Sequence, residues 1–231
     1  MTISIESLIT CFKGGISYLP ITLGVTLLAV AIGVLVGGII AIIRVFKVPV
    51  ISQILAVIIT IYAGIPMVVS LMVFNLIYIT KFSATVTQFM TPESASLIVG
   101  VFTVSLLAIV HISEAIRGGF NSVDNGQYEA GYSVGLTRMQ TVRRIIIPQV
   151  IPVVAPVICT NAIGLMKATS ILMLIGVMEL LNGAILPCQK TYSFLEGYIA
   201  AGVIYWVIAI LLSKLAKYLE KNLGKYRRSI S

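Results

Sequence analysis

The chain has 231 residues, of which 58% are hydrophobic and only 10% charged. Water-soluble domains carry about 25% charged residues, so this composition excludes a water-soluble fold and points to a body solvated by lipid. The net charge of +8 does not indicate nucleic-acid binding, because twelve of the sixteen basic residues form three clusters (Arg44 and Lys47; Arg117, Arg138, Arg143 and Arg144; Lys214, Lys217, Lys221, Lys225, Arg227 and Arg228) that follow alternate apolar segments. Basic residues collect in this way on the cytoplasmic side of membrane proteins.

The first ten residues contain no Lys or Arg, and the first long apolar run starts near Tyr18, so a cleavable signal peptide is not expected. Residues 18–43 form the first predicted span, closed on the inside by Arg44. Gly33 and Gly37 stand four residues apart within it, a spacing that lets helix backbones approach closely, either inside one subunit or across a dimer interface.

Residues 49–79 are uncharged but too long for one straight crossing. Gly64-Ile65-Pro66 lies in the middle, where proline removes a donor and crowds the preceding turn. A break or kink is expected there, near a pathway or a subunit interface, since broken backbone at membrane depth needs protein or water to cover it. A short outer loop then leads to Thr91-Pro92-Glu93, a helix start, and a third span over 94–116. His111 near its end reads as a packing residue.

Residues 118–144 form a polar island between membrane-long segments. Asp124 is placed to cap a short helix bearing Glu129, Ala130 and Gly131. Gly135 supplies a turn, and Thr137 caps a second helix leading through Arg143 and Arg144 to the bilayer. The fourth span, 145–167, carries Pro148, Pro152 and Pro156 and is expected to be bent. Residues 171–178 are apolar but too short to cross, which predicts a half-helix dipping in from outside. Residues 193–213 form the last span, before the basic tail.

Five spans with the N-terminus outside put all three basic clusters in the cytoplasm. The fold expected is an all-α integral membrane protein with one transmembrane domain over residues 1–231.

Cys11, Cys159 and Cys188 lack metal-ligand spacing, and no metal site is expected. Cys159 reads as a packing residue, whereas Cys11 and Cys188 fall on the same outer side, where a bond between them stays open. No phosphate-binding glycine loop is present, so ATP hydrolysis would belong to a partner. One histidine and the lack of clustered Cys or Asp leave no catalytic residues to name.

Glu129-Ala130-Gly131, Gly135, Ile145 and Pro148 match the spacing of the EAA signature of type I ABC importer permeases. Ser113-Glu114-Ala115-Ile116-Arg117-Gly118-Gly119, Gly126-Gln127, Gly64-Ile65-Pro66, Pro148-Gln149, Lys167-Ala168-Thr169-Ser170, Ile175-Gly176-Val177 and Glu179-Leu180 resemble the polar amino acid branch of that family, over residues 18 to 221. The stretch Tyr192-Ser193-Phe194-Leu195-Glu196 into Tyr205-Trp206 looks most similar to cystine and related permeases. Two departures stand out. Gly131 occupies a position where alanine is usual, at a helix cost of about 1 kcal/mol. Ala168 replaces an aspartate common in the branch, which argues against a cationic substrate.

The resemblance implies a multi-pass subunit of the bacterial cell membrane. Its partners would be a pair of ABC ATPase subunits that bind ATP and Mg, a second permease subunit (identical or a sister), and an extracytoplasmic amino-acid-binding protein. Glu129, Ala130, Gly131, Gly135, Leu136, Arg138 and Pro148 are the expected ATPase-docking and coupling residues. Gly64, Pro66, Asn161, Lys167, Thr169 and Ser170 are the expected lining of the path, because polar groups inside a membrane are costly unless they serve a function. Lys167 either meets a substrate carboxylate or snorkels to the outer interface. The runner-up class is an ion-gradient-driven amino acid carrier. It is disfavoured by the lack of internal repeats and by Glu114, Glu179 and Glu196, which all read as lying near segment ends rather than deep in a span.

Overall fold

The computed structural model describes residues 4–86, 88–189 and 192–228, with Lys225, Arg227 and Arg228 of the basic tail described as helical backbone alone. The described residues are almost entirely helical: α1 (Ile5–Val45), α2 (Ile51–Ala63), α3 (Met67–Val86), α4 (Pro92–Asn121), α5 (Asn125–Ser133), α6 (Arg138–Ile175), α7 (Leu180–Ile185) and α8 (Phe194–Arg228). Five helices are long and apolar enough to cross a membrane: α1, α3, α4, α6 and the Phe194–Tyr218 part of α8.

α1 begins far earlier than the expected residue 18. Ser4 caps it through a bond from the Ser7 N–H, Glu6 sits in its first turn, and the helix runs through Pro20. Lys13 and the Gly14-Gly15 pair look like a polar interruption in sequence, yet those glycines are contact points. A Cβ on Gly14 would lie 2.3 Å from the Gly183 carbonyl oxygen, and one on Gly15 would lie 2.8 Å from Ile204 Cδ1. At 41 residues, α1 is about 60 Å long, twice the roughly 30 Å hydrocarbon thickness. Cys11 on this extra segment is disulfide-bonded to Cys188, beyond α7.

Gly33 and Gly37 serve packing within the chain. A Cβ on Gly33 would come within 3.0 Å of the Ala108 backbone, and one on Gly37 within 2.8 Å of the Ile109 carbonyl oxygen. α1 and α4 therefore touch backbone to backbone at the π-turn Gly33–Gly37.

The long second segment is two helices. α2 ends at Gly64, and α3 starts after Pro66, whose φ of −58° with ψ of 136° takes the chain out of helix. α3 continues through Lys81 to Val86, over part of what the sequence reads as an outer loop.

The expected half-helix over 171–178 does not form as a separate element. α6 continues past Lys167 and tightens into a 3-10 segment over Thr169–Ile175, which Gly176 ends at φ 78°. The six-residue α7, unforeseen from sequence, follows. The main core joins Val25 and Ala29 of α1, Leu71 of α3, Val104, Ala108 and Ile112 of α4, and Leu165 and Leu172 of α6.

Candidate coupling site and translocation path

The polar island folds into α5 and the first turns of α6, joined by a tight turn. Asp124 Oδ1 accepts the Gly126 N–H at 2.7 Å and so caps α5. At the other end, Gly135 N–H donates to the Tyr132 carbonyl at 3.0 Å and Leu136 N–H to the Gly131 carbonyl at 3.1 Å. This pair of bonds is a Schellman motif, with Gly135 at the left-handed position, and its φ of 80° is strained for any side-chain-bearing residue. Two residues on, Thr137 and Gln140 form a reciprocal capping box that starts α6.

The two lever helices meet at Gly131, which is buried. A Cβ there would lie 2.5 Å from Thr141 Cγ2 and 2.7 Å from Thr141 Oγ1. Thr141 is itself fully buried, and its hydroxyl donates to the Thr137 carbonyl at 3.1 Å. Gly131 is thus more than a loosened alanine, since the β-branched neighbour fills the space of the missing methyl group. Gln149, next to Pro148, donates to Gln127 Oε1 at 3.1 Å and to the Ile145 carbonyl at 3.0 Å, tying α5 to the body of α6. A π-turn over Val142–Ile146 precedes Pro148, which stands in the first turn of the α-helical stretch that follows.

Glu129 and Ala130 are exposed, and the Glu129 carboxylate makes no bond with a described side chain. Around them Val134 is 74% exposed, Met139 71% and Tyr132 45%. These three large apolar side chains sit on the polar lever rather than within a membrane-long apolar stretch. Sequence reading missed them because single apolar residues in a polar stretch carry no periodic signal.

Above the lever is a cavity of about 700 Å³ lined in part by Phe46, Phe120, Asp124, Tyr128 and Arg138. Burial pushes the Tyr128 phenol above its ordinary pKa, nearby Tyr132 adds to this, and Arg138 opposes it. Phe46 makes an edge contact with Phe120, ring centroids 6.4 Å apart, and the Arg138 guanidinium lies over the Phe46 ring at 5.1 Å. Two residues earlier, Arg44 is ion-paired to Glu114, whose other oxygen accepts from Arg117 Nε at 2.9 Å.

The expected path residues divide between two places. Gly64 and Pro66 are exposed at the break between α2 and α3, while Asn161, Lys167, Thr169 and Ser170 lie along the C-terminal part of α6. Met67 and Leu71 pack in the same cluster as Ile171 and Leu172, so the break and the 3-10 segment are neighbours. Lys167 is exposed, and Asn161 and Ser170 are half-buried. Thr169 is fully buried with its hydroxyl donating to the Met166 carbonyl at 2.7 Å, and Ser170 donates to the Lys167 carbonyl at 2.8 Å.

Glu179 stands at a segment end, as read from the sequence, where it caps α7, yet it is fully buried. Its Oε1 accepts the Leu181 and Asn182 N–H groups at 2.8 and 3.1 Å, and its Oε2 accepts from Tyr205 at 2.7 Å and Thr22 at 3.3 Å. Thr22 in turn accepts the Leu180 N–H at 3.0 Å. The carboxylate caps α7 and joins it to α1 and α8. Four donors offset the cost of burying its oxygens.

Residues 23–225 match the family model described as binding-protein-dependent transport system inner membrane component. The chain is 34% identical to the probable amino-acid permease protein YxeN of Bacillus subtilis (strain 168), covering 99% of both chains. It is 33% identical to the L-cystine transport system permease protein TcyL of the same organism, over 93% of this chain and 89% of the relative. The crystal structure of an amino acid ABC transporter with histidines matches with a TM-score of 0.83 at 30% identity, covering 96% of this chain and all of that one. The fold agrees with these likenesses, and the chain belongs to the family of binding-protein-dependent transport system inner membrane components.

Proposed function

We propose that this protein is the membrane-spanning subunit of an ATP-driven importer that takes up a polar amino acid, with neutral polar substrates such as cystine or glutamine favoured. It sits as a multi-pass protein in the bacterial inner membrane. The observation that carries this reading is the α5–α6 lever. Two hydrogen-bonded caps and the Gly131–Thr141 contact make it rigid, and it presents Glu129, Val134 and Met139 outward. A stiff element with an apolar, unpartnered face is suited to receive force from another protein.

In this reading the ATPase pair docks on the surface around Glu129, Ala130, Gly135, Leu136 and Arg138, while the buried Gly131 shapes the lever from within instead of meeting the partner, and the ATP and Mg that drive transport are bound by that pair. This chain performs no chemistry of its own. Pro148 and Gln149 join the lever to α6, so displacement of α5 is carried along the helix that bears Asn161, Lys167, Thr169 and Ser170. Those four residues, with Gly64 and Pro66, border the path. Ala168, in place of a carboxylate, favours a substrate without a cationic side chain. A second permease copy or sister closes the path, and an extracytoplasmic binding protein delivers the amino acid.

The Cys11–Cys188 disulfide supports an outward-facing N-terminus, because such bonds persist in oxidising compartments. The basic tail on α8 then lies in the cytoplasm. The test is purification of the tagged chain in mild detergent from its native host. An ATPase subunit that co-purifies with the wild type and is lost on Glu129→Lys supports the reading. A chain that emerges alone, even after crosslinking, refutes it.

A further inference from the structure

Phe120 at the close of α4 and Arg138 at the start of α6 flank α5, and the aromatic ring of Phe46 touches both. Phe120 meets its edge at a centroid distance of 6.4 Å, and Arg138 covers its face at 5.1 Å. Phe46 follows the last turn of α1 directly, and Arg44 in that turn is paired with Glu114 of α4. On its other side Phe46 is held by a short connection in which Lys47 and Val50 have φ of 51° and 64°. A β-branched valine at positive φ is a genuine backbone outlier, so the ring's place is set by a constrained loop rather than by a freely frayed helix end. Val45 and Phe46 also pack against the apolar cluster of Phe120, Val142 and Ile146.

We propose that Phe46 is a positioning residue for coupling. It clamps the residues on either side of α5, Phe120 and Arg138, to α1, so that a push on α5 displaces α1 together with α4 and α6 instead of being absorbed in the joints. This inference rests on the importer reading and adds to it. Arg138 then serves the clamp through its face contact with Phe46, besides any part in docking. α1 spans the whole body and packs on α4, α6, α7 and α8. A clamp at its cytoplasmic end therefore reaches the outer face through one rigid element. A cation over an aromatic face shifts a two-state balance by about two- to thirty-fold, depending on desolvation.

The test uses the complete permease–ATPase complex in proteoliposomes with its binding protein and radiolabelled L-cystine and L-glutamine as probes. Amino acid taken up per ATP hydrolysed is measured beside thermal unfolding of the complex. Phe46→Leu keeps apolar volume but removes the ring, and is expected to lower uptake per ATP several-fold while the complex assembles and hydrolyses ATP. Phe46→Tyr restores the ratio. Phe46→Leu and Arg138→Met combined lower it no further than Arg138→Met alone. A wild-type ratio in Phe46→Leu overturns the clamp, as does a loss that only follows the amount of folded complex. A wild-type complex that shows no ATP-driven uptake of either probe, or has no ATPase, counts against the importer reading, which is a separate failure.

Discussion

Replacing Gly131 by alanine restores the residue usual in the signature and removes a helix-disfavouring glycine, which alone would stabilise α5 by about 1 kcal/mol. The structure reverses that sign. The new methyl would stand 2.5 Å from Thr141 Cγ2 and 2.7 Å from its Oγ1, well inside van der Waals contact. Thr141 has little freedom to withdraw, being fully buried with its hydroxyl bonded to the Thr137 carbonyl. Overpacking of this kind costs about 1–3 kcal/mol, so the net effect is a loss of roughly 0–2 kcal/mol, felt as splaying of α5 from α6. Thr141→Ala deletes both clashing atoms, and the double variant should recover. The coupling between the two sites is then about 1–3 kcal/mol, the overpacking that the second change relieves, within the range seen for residues in contact. The assay is titration of the ATPase subunit onto nanodisc-embedded permease, for wild type, both single variants and the double. Gly131→Ala should bind several-fold more weakly and Gly131→Ala/Thr141→Ala close to wild type. Equal binding by Gly131→Ala and wild type, or strictly additive effects, would refute the steric account.

Gly135→Pro removes the N–H that bonds to Tyr132 and forbids φ of 80°; transport should be abolished while the chain still inserts, and wild-type uptake would sink the coupling role. Gly135→Asn, which tolerates the left-handed region, should retain part of the activity. At Glu179, Gln should be far milder than Leu. Gln keeps one acceptor for the two N–H groups while the Tyr205 and Thr22 hydroxyls can reverse, whereas Leu leaves buried N–H groups unpaired at about 1–3 kcal/mol each; thermal unfolding in detergent ranks the two. Lys167→Met should weaken uptake mainly through KM if the exposed ammonium meets the substrate carboxylate, and unchanged kinetics would remove it from the path.

The helical membrane body and the lever were legible in the sequence because their signals are local. An uncharged run, Gly64-Ile65-Pro66, an Asp or Thr at a cap and a glycine at a left-handed turn each act within a few residues. The early start of α1 was hidden because Lys13 and Gly14-Gly15 resemble a boundary until Gly183 is seen against them. Glu179 was read correctly as a segment end, but its burial was hidden because that depends on Thr22 and Tyr205, which lie far from it in sequence on other helices. Phe46 was missed for the same reason, since nothing near it in the chain announces Phe120 or Arg138 as neighbours. The 3-10 continuation of α6 was read as a separate half-helix because its apolar run has helical spacing, and spacing does not show whether a helix is continuous.

The central claim is that force from ATP hydrolysis reaches the path through the α5–α6 lever. It is tested most directly by reconstituting the permease with its ATPase and binding protein into proteoliposomes and following radiolabelled cystine and glutamine. Mg-ATP is supplied only on the side that carries the lever, with and without an ionophore that collapses ion gradients. Uptake that requires ATP on that side and is indifferent to the ionophore is the expected result. Uptake that proceeds without ATP and stops when the gradient is dissipated would contradict the claim and make this chain a gradient-driven carrier.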